Sequence, residues 1–457
     1  MMDGPGEQPQ AEQDPEVPDI RRPRRVTRRA LFGTAAGVAA VAGAAGVGGY
    51  AVGNATADDA PPAEPSPTVG RVTPDGFHQP GISTAQQQYA CIAAFDVMAP
   101  LRDNLIELMR RWTPLATALM RGEPGPERPN RDVADSGVAD DLGPANLTMT
   151  FGFGPRVFGE EFGLGVTAPT RLAELPAFEG DQLDPRWVGG DVLVQICADD
   201  PTVVAHAIRE ARARVPGIAN ARWTHYGFLT DPGDGRTPRN LFGQLDGTAN
   251  PRPGSSDFDE IVWAGADEPD GMRGGSYLVL RKIRMLMPMW DTSTAAEQNA
   301  ALGRDRHTGA PLSGGTEHTP LDLTRTGDDG RPLIAMDAHV RLAHGAVPML
   351  RRSYNYDNGL ALPASAGVPD EGHTHPPGTA PHEHGPARPG MGHWDSGMLF
   401  MTYVRDPSTQ YVPLQVALSR ADRLHSFLQH TGSAVFAIPG AAHDGEFVGQ
   451  RLLTAAT

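Results

Sequence analysis

Apolar positions along the chain fall into two successive sets with the same rhythm. In the first set, QYACIAAFDV (88–97) reads as a buried strand. RDNLIELMRRWTPLATALMRG (102–122) puts Leu105, Leu108, Met109 and Trp112 on one helical face. ANLTMTFGFG (145–154) and DVLVQICADD (191–200) predict strands, and PTVVAHAIREARARV (201–215) predicts an amphipathic helix opened by a proline. ARWTHYGFLT (221–230) closes the set as a strand. The order βαββαβ is that of a ferredoxin-like unit. The second set repeats it. GGSYLVLRKIRMLM (274–287) is a strand and TAAEQNAALGR (294–304) a helix; MLRRSYNYD (349–357) and GMLFMTYVRD (397–406) are strands. LQVALSRADRLHSFLQHTG (414–432) reads as one helix and SAVFAIPG (433–440) as the last strand. MLMPMW (285–290) reads as strand core. The expected fold class is α+β, with two tandem ferredoxin-like domains, 81–260 and 261–457, whose antiparallel sheets pack together. GFG at 152–154 lacks the spacing of a dinucleotide loop, which excludes a Rossmann reading.

Ahead of these sets the pattern changes. Residues 1–20 are polar and Pro-rich, and are expected to be disordered. Arg28-Arg29 then precedes a run without charge from Ala30 to Ala57, rich in Ala and Gly. The run has the length of a membrane span but not the hydrophobicity such a span needs. An Arg pair before a weakly apolar segment is the twin-arginine export pattern. Residues 1–57 are therefore expected to form a disordered N-terminus and signal peptide, cut after Ala55-Thr56-Ala57, with an uncleaved anchor as the alternative. The implied partner is the twin-arginine translocase, and the location periplasmic, cell-envelope or extracellular. Residues 58–80 read as a Pro-rich linker.

Charge and cysteine content narrow the function. The 457 residues carry a formal net charge of −16, which argues against nucleic acid as a partner. Two cysteines, Cys91 and Cys197, exclude a disulfide scaffold and any Cys-built zinc or iron–sulfur site. Both read as buried small hydrophobes, with a disulfide open only if their strands are neighbours. A Pro/Gly-rich stretch, 371–393, holds His373, His375, His382, His384 and His393 and is a candidate copper or zinc site.

The candidate chemistry centres on NLFGQLDGTANP (240–251). Asp246 stands between Gly243 and Gly247, with apolar Leu241, Phe242 and Leu245 before it and the turn pair Asn250-Pro251 after. Glycines let the backbone adopt tight conformations, and a carboxylate among apolar groups is a candidate proton carrier. Further along, Arg351 and Arg352 are neighbours on a predicted strand, so they face opposite sides and only one can point at a site.

The GxxDG of this stretch, continued by GTANP, resembles the signature of the dye-decolourising peroxidases, and the resemblance extends over roughly residues 80–450. It implies a haem b cofactor held mainly by the second domain. DAHVR resembles the family's proximal block and makes His339 the ligand of the haem iron, with His344 a haem-edge contact at most. Gly247, Thr248 and Ala249 would lie against the haem edge. By the LRRSYNY block Arg351 matches the distal arginine, and Arg352 stays open as the alternative or as a propionate partner. Asp246 and Arg351 are thus the expected catalytic pair. The implied substrates are hydrogen peroxide and an organic reductant (dyes, phenolics) or a porphyrin. The export signal and the RRSYNY and GTANP blocks look most like the deferrochelatase/peroxidase branch, in which iron release from haem is a further expectation. Two rival readings are a haem- or iron-binding component of iron uptake with incidental peroxidase turnover, and an extracellular metal-binding protein centred on the His-rich loop.

Overall fold

Besides Met1, the computed structural model describes residues 70–129, 135–233, 235–361 and 393–454. The export segment and His373, His375, His382 and His384 lie outside the described residues, and of His393 only the backbone is described. Among the described residues no helix is long and apolar enough to cross a membrane.

Both expected sets form. The first consists of β1 (Tyr89–Val97), α1 (Arg102–Met120), β2 (Thr148–Phe153), β3 (Val192–Ala198), α2 (Pro201–Ala213) and β4 (Ala219–Phe228). Asp200 starts α2 by accepting hydrogen bonds from the Thr202 and Val203 amides, and Pro201 occupies the first turn, where no amide donor is needed. A short helix, α3 (Phe258–Val262), leads into the second set. This set holds β5 (Ser276–Met285), α4 (Met287–Thr292), α5 (Ala295–Leu302), α6 (His339–Leu342), β6 (Leu350–Arg351), β7 (Tyr354–Ala361), β8 (His393–Val404), α7 (Pro407–Ala421) and β9 (Leu428–Ile438), and α8 (Gln450–Thr454) ends the chain.

The strand orders are β2-β3-β1-β4 and β9-β5-β8-β7, the same ferredoxin-like arrangement twice. All ladder pairings are antiparallel. The two sheets meet edge to edge at Phe153–Ala437 and Phe228–Asn355, so eight strands close on themselves. Closure removes free sheet edges and creates an interior between the two faces. Ile92, Leu193 and Trp223 from one sheet fill it together with Leu280, Met401 and Phe436 from the other. The outer face of the first sheet is covered by α1 and α2, with Leu105, Leu108, Met109 and Trp112 all buried.

Two local expectations change, and the cysteines stay as read, buried and unpaired. The stretch 414–432 is not one helix: α7 begins at Pro407 and ends at Ala421, and Leu428–Thr431 already belong to β9. The Asp422 side chain accepts the Leu424 amide and starts a separate turn, and pairing with β5 takes the rest as strand. MLMPMW splits at Met285, because Pro288 sits in the first turn of α4; Met289 there is exposed. Cys91 and Cys197 lie on neighbouring strands yet stay free thiols. Cys197 faces Ala90, one residue out of register with Cys91, so the two sulfurs point to opposite faces.

Candidate active site

The Asp246 loop is built by its own side chains. Asn240 Oδ1 accepts the Phe242 and Gln244 amides, and the Asp246 amide donates to the Pro238 carbonyl at 2.9 Å. Phe242 anchors the turn by stacking on Trp290 at 4.2 Å. Gly243 has φ 77° and Gly247 φ 121°, both in the region that favours glycine. At Gly247 an added Cβ would meet nothing closer than 3.8 Å, so conformation, not crowding, requires the glycine there. The loop leaves the Asp246 carboxylate about one-quarter exposed on a cavity wall.

Arg351 stands opposite. Its Nη1 lies 3.6 Å from Asp246 Oδ1. The Asn250 side chain fixes the spacing: its Nδ2 donates to the Arg351 carbonyl and its Oδ1 accepts the Arg351 amide, both at 2.8 Å. Arg352, the next residue, turns the other way. It is buried, donates to the Thr84 carbonyl and, at 2.8 Å, to Gln87 Oε1 of the first half. Adjacent at the end of β6, the two arginines point apart, Arg351 to the cavity and Arg352 into the packing between halves.

The cavity holds about 280 Å³. Asp246, Gly247, Thr248 and Arg351 line it, and so do His318 and Met398. Ala249 is exposed and does not line it; neither do Arg352 nor His344, which is exposed after α6.

His339 opens α6. Its Nδ1 lies 2.6 Å from Asp422 Oδ2, and Asp422 is buried. Nε2 makes no hydrogen bond among the described residues. An imidazole with one nitrogen held by a carboxylate and the other free is the donor arrangement of a metal-binding histidine. One apolar cluster joins Phe242 of the Asp246 loop with Met285, Trp290, Met398 and Leu424. Met398 reaches the cavity, and Leu424 follows two residues after Asp422. A carboxylate-held imidazole with a free nitrogen, an apolar cluster and a carboxylate–guanidinium pair are the groups that would hold a porphyrin and its iron. The residues present therefore fit haem.

Among the described residues, one cluster has the residue types of a cation site: Asp135, His206 and Glu210 have ligand atoms within 4.8 Å of one another. Arg128 and Arg214 already pair with Glu210, so the local positive charge opposes a metal there.

Sequence reasoning missed Asp422, Asn250, His318 and Glu317. Asp422 lay inside what read as a continuous helix. Asn250 read only as a turn residue. His318 and Glu317 sit in a long insertion with no periodic signal.

Comparisons with known proteins identify the family. The family described as "Dyp-type peroxidase, N-terminal" matches residues 79–229, and "Dyp-type peroxidase, C-terminal" matches 237–443. The chain belongs to this family; it is a haem-dependent peroxidase. Among its relatives, a dye-decolorizing peroxidase of Thermobifida fusca is 36% identical over 82% of this chain and 83% of its own length. A deferrochelatase of Escherichia coli is 33% identical over 83% of this chain and 86% of its own. A crystal structure of a DyP-type peroxidase from Streptomyces coelicolor superposes with TM-score 0.74 at 38% identity, covering 85% of this chain and all of that one.

Proposed function

We propose that this peroxidase uses hydrogen peroxide to oxidise dyes, phenolics or other bulky reductants, with Asp246 carrying the proton and Arg351 supplying charge. The observation that supports this most is the Asp246–Arg351 pair, 3.6 Å apart and lining one cavity. His339, through Nε2, would hold the iron of haem b, with Asp422 keeping its ring in one tautomer. Gly247 and Thr248 would border the porphyrin. When bound, haem supplies the redox chemistry, taking two oxidising equivalents from peroxide and passing them to a reductant. The carboxylate of Asp246 takes a proton from one peroxide oxygen and returns it to the other, so that water leaves. Arg351 offsets the negative charge that builds as the O–O bond breaks.

Asp246→Asn keeps the shape but cannot take a proton. It should keep its haem spectrum and react with peroxide about 10²–10⁴-fold more slowly in stopped-flow measurements. Arg351→Leu should slow the same step. A parental rate in Asp246→Asn beside a slow Arg351→Leu would give the step to the arginine alone.

Likeness to enzymes named deferrochelatase favours a second reading, removal of iron from haem with the porphyrin ring intact. Mass spectrometry of the product distinguishes the two: iron-free intact porphyrin supports it, and its absence restricts the enzyme to peroxidase turnover.

Export by the twin-arginine pathway belongs to the same proposal, as does copper or zinc at the His-rich loop. Arg28→Lys with Arg29→Lys should leave folded protein inside the cell. Calorimetry before and after deletion of residues 372–384 tests the loop, and equal metal binding would remove it from the reading.

A further inference from the structure

The insertion between α5 and β6 packs against the Asp246 loop and grips it from outside. Arg239, on the loop's first arm, donates to the carbonyls of Gly243, Arg306 and His307, so the loop and the insertion share one guanidinium. Arg304 folds the insertion on itself by donating to the Gly309 and Glu317 carbonyls. Gly309 comes so close that an added Cβ would lie 2.5 Å from Leu245 Cδ1. The decisive contact is Glu317. Its Oε1 accepts the hydroxyls of both Thr237 and Thr248, the latter at 2.8 Å. Thr237 precedes Pro238, whose carbonyl receives the Asp246 amide, and Thr248 follows two residues after Asp246. One carboxylate oxygen therefore ties together the two arms between which Asp246 is held.

Burial pushes the Glu317 carboxyl up, but the two hydroxyls, together with His318 and Arg304, bring it below the usual range. It is an anion, and a carboxylate oxygen with two lone pairs can take both hydroxyls at once. Its neighbour His318 lines the same cavity as Asp246.

We propose that Glu317 is a positioning residue for peroxide activation: by clamping Thr237 and Thr248 it sets the place of the Asp246 carboxylate relative to Arg351. The inference rests on Asp246 being the proton carrier. Glu317 touches neither reactant; it acts through the loop. A proton carrier displaced by about 1 Å loses up to about 100-fold in rate, which is the scale of effect a clamp can have.

The test uses the haem-loaded full chain and three variants, with amide hydrogen exchange as a readout independent of turnover. Glu317→Ala should slow the reaction with peroxide by about 10–100-fold and leave the reductant-limited rate unchanged. It should also speed amide exchange over 244–250. Glu317→Gln keeps an oxygen able to accept both hydroxyls and should stay within about threefold of the parent in rate and exchange. Should Glu317→Ala fail to fold, Thr248→Val removes one of the two bonds and should show the same two changes in smaller measure. A parental rate in Glu317→Ala, or in Thr248→Val where that variant stands in, while Asp246→Asn is slow, overturns the clamp and leaves Asp246 in its role. A Glu317→Gln as slow as Glu317→Ala also overturns it, because charge rather than geometry would then matter. A parental rate in Asp246→Asn removes the reading on which the inference rests.

Discussion

A histidine that holds a metal needs one nitrogen free and the other held, and His339 meets both conditions through a single partner. Asp422 Oδ2 accepts a hydrogen bond from Nδ1–H at 2.6 Å, while Oδ1 accepts the Leu424 amide at 2.8 Å. The second bond keeps the carboxylate from turning away. A negative partner on Nδ1–H makes Nε2 a stronger donor to iron. Asp422→Asn keeps the shape and removes the charge. Haem affinity should fall about 10–100-fold, the usual cost of losing such a partner, in a titration followed by the Soret band. An unchanged affinity would mean that Asp422 only ends α7. No sequence pattern reveals this pair, because 83 residues separate its members.

At the scale of elements, β6 is only two residues long, Leu350–Arg351, and pairs with β8 alone. So short a strand does not hold an arginine at a set distance from a loop. Asn250 does, through its paired bonds to the Arg351 backbone. Its place in GTANP therefore has a reason beyond the turn. Asn250→Ala should cost about 1–3 kcal/mol in stability, the contribution of two hydrogen bonds, measured by denaturant unfolding. It should also slow the reaction with peroxide, because the Asp246–Arg351 spacing is no longer held. A loss of stability without any change in that rate would show that the spacing is kept by other contacts. Element ends obey the same logic: α5 is closed by a capping box of Thr294 with Glu297 and by left-handed Gly303, both readable from sequence. The end of α7 was not readable, since apolar spacing continues past Ala421 and the Asp422 turn followed by the β5–β9 ladder breaks it.

For the whole molecule, closing two sheets into one barrel places charges where water cannot reach. Lys282 is fully buried, 2.8 Å from both oxygens of Asp395 and 3.7 Å from the Trp187 ring centre. His225 is buried nearby, stacked on Trp223. Burial first, and then the Lys282 charge, lower its pKa to about 4. The folded protein keeps it neutral while the unfolded chain takes up a proton below the ordinary value of 6.5. The unfolded state binds more protons between these values, so stability falls as pH drops from 6.5 to 4 and this contribution levels off below. The loss is on the order of 3 kcal/mol at most. Asp395 and Glu210 behave oppositely in cause. Burial raises them, hydrogen bonds from Lys282 and from Arg128 outweigh it, and their contribution is lost only in more acid solution. His225→Phe keeps the stack without the titration. Unfolding free energies at pH 7 and pH 4.5 should differ less in this variant than in the parent, by about 1–3 kcal/mol. An equal difference would place the acid sensitivity elsewhere.

The two βαββαβ sets were legible because each strand and helix carries its own periodicity, a local property of the chain. Asp246 was legible for the same reason: glycines and apolar neighbours surround it within a dozen residues. Arg351 and Arg352 were legible only as a pair, since alternation says that they diverge but not which way; β6 pairing with β8 turned Arg351 to the cavity and Arg352 into the interior. The partners that give these residues their setting, Asp422 on His339, Glu317 on Thr248 and Asn250 on the Arg351 backbone, are separated along the chain by 83, 69 and 101 residues. Local pattern carries no information about such contacts. They exist because barrel closure and the packing of the α5–β6 insertion bring distant backbone together, and that is a property of the tertiary structure alone.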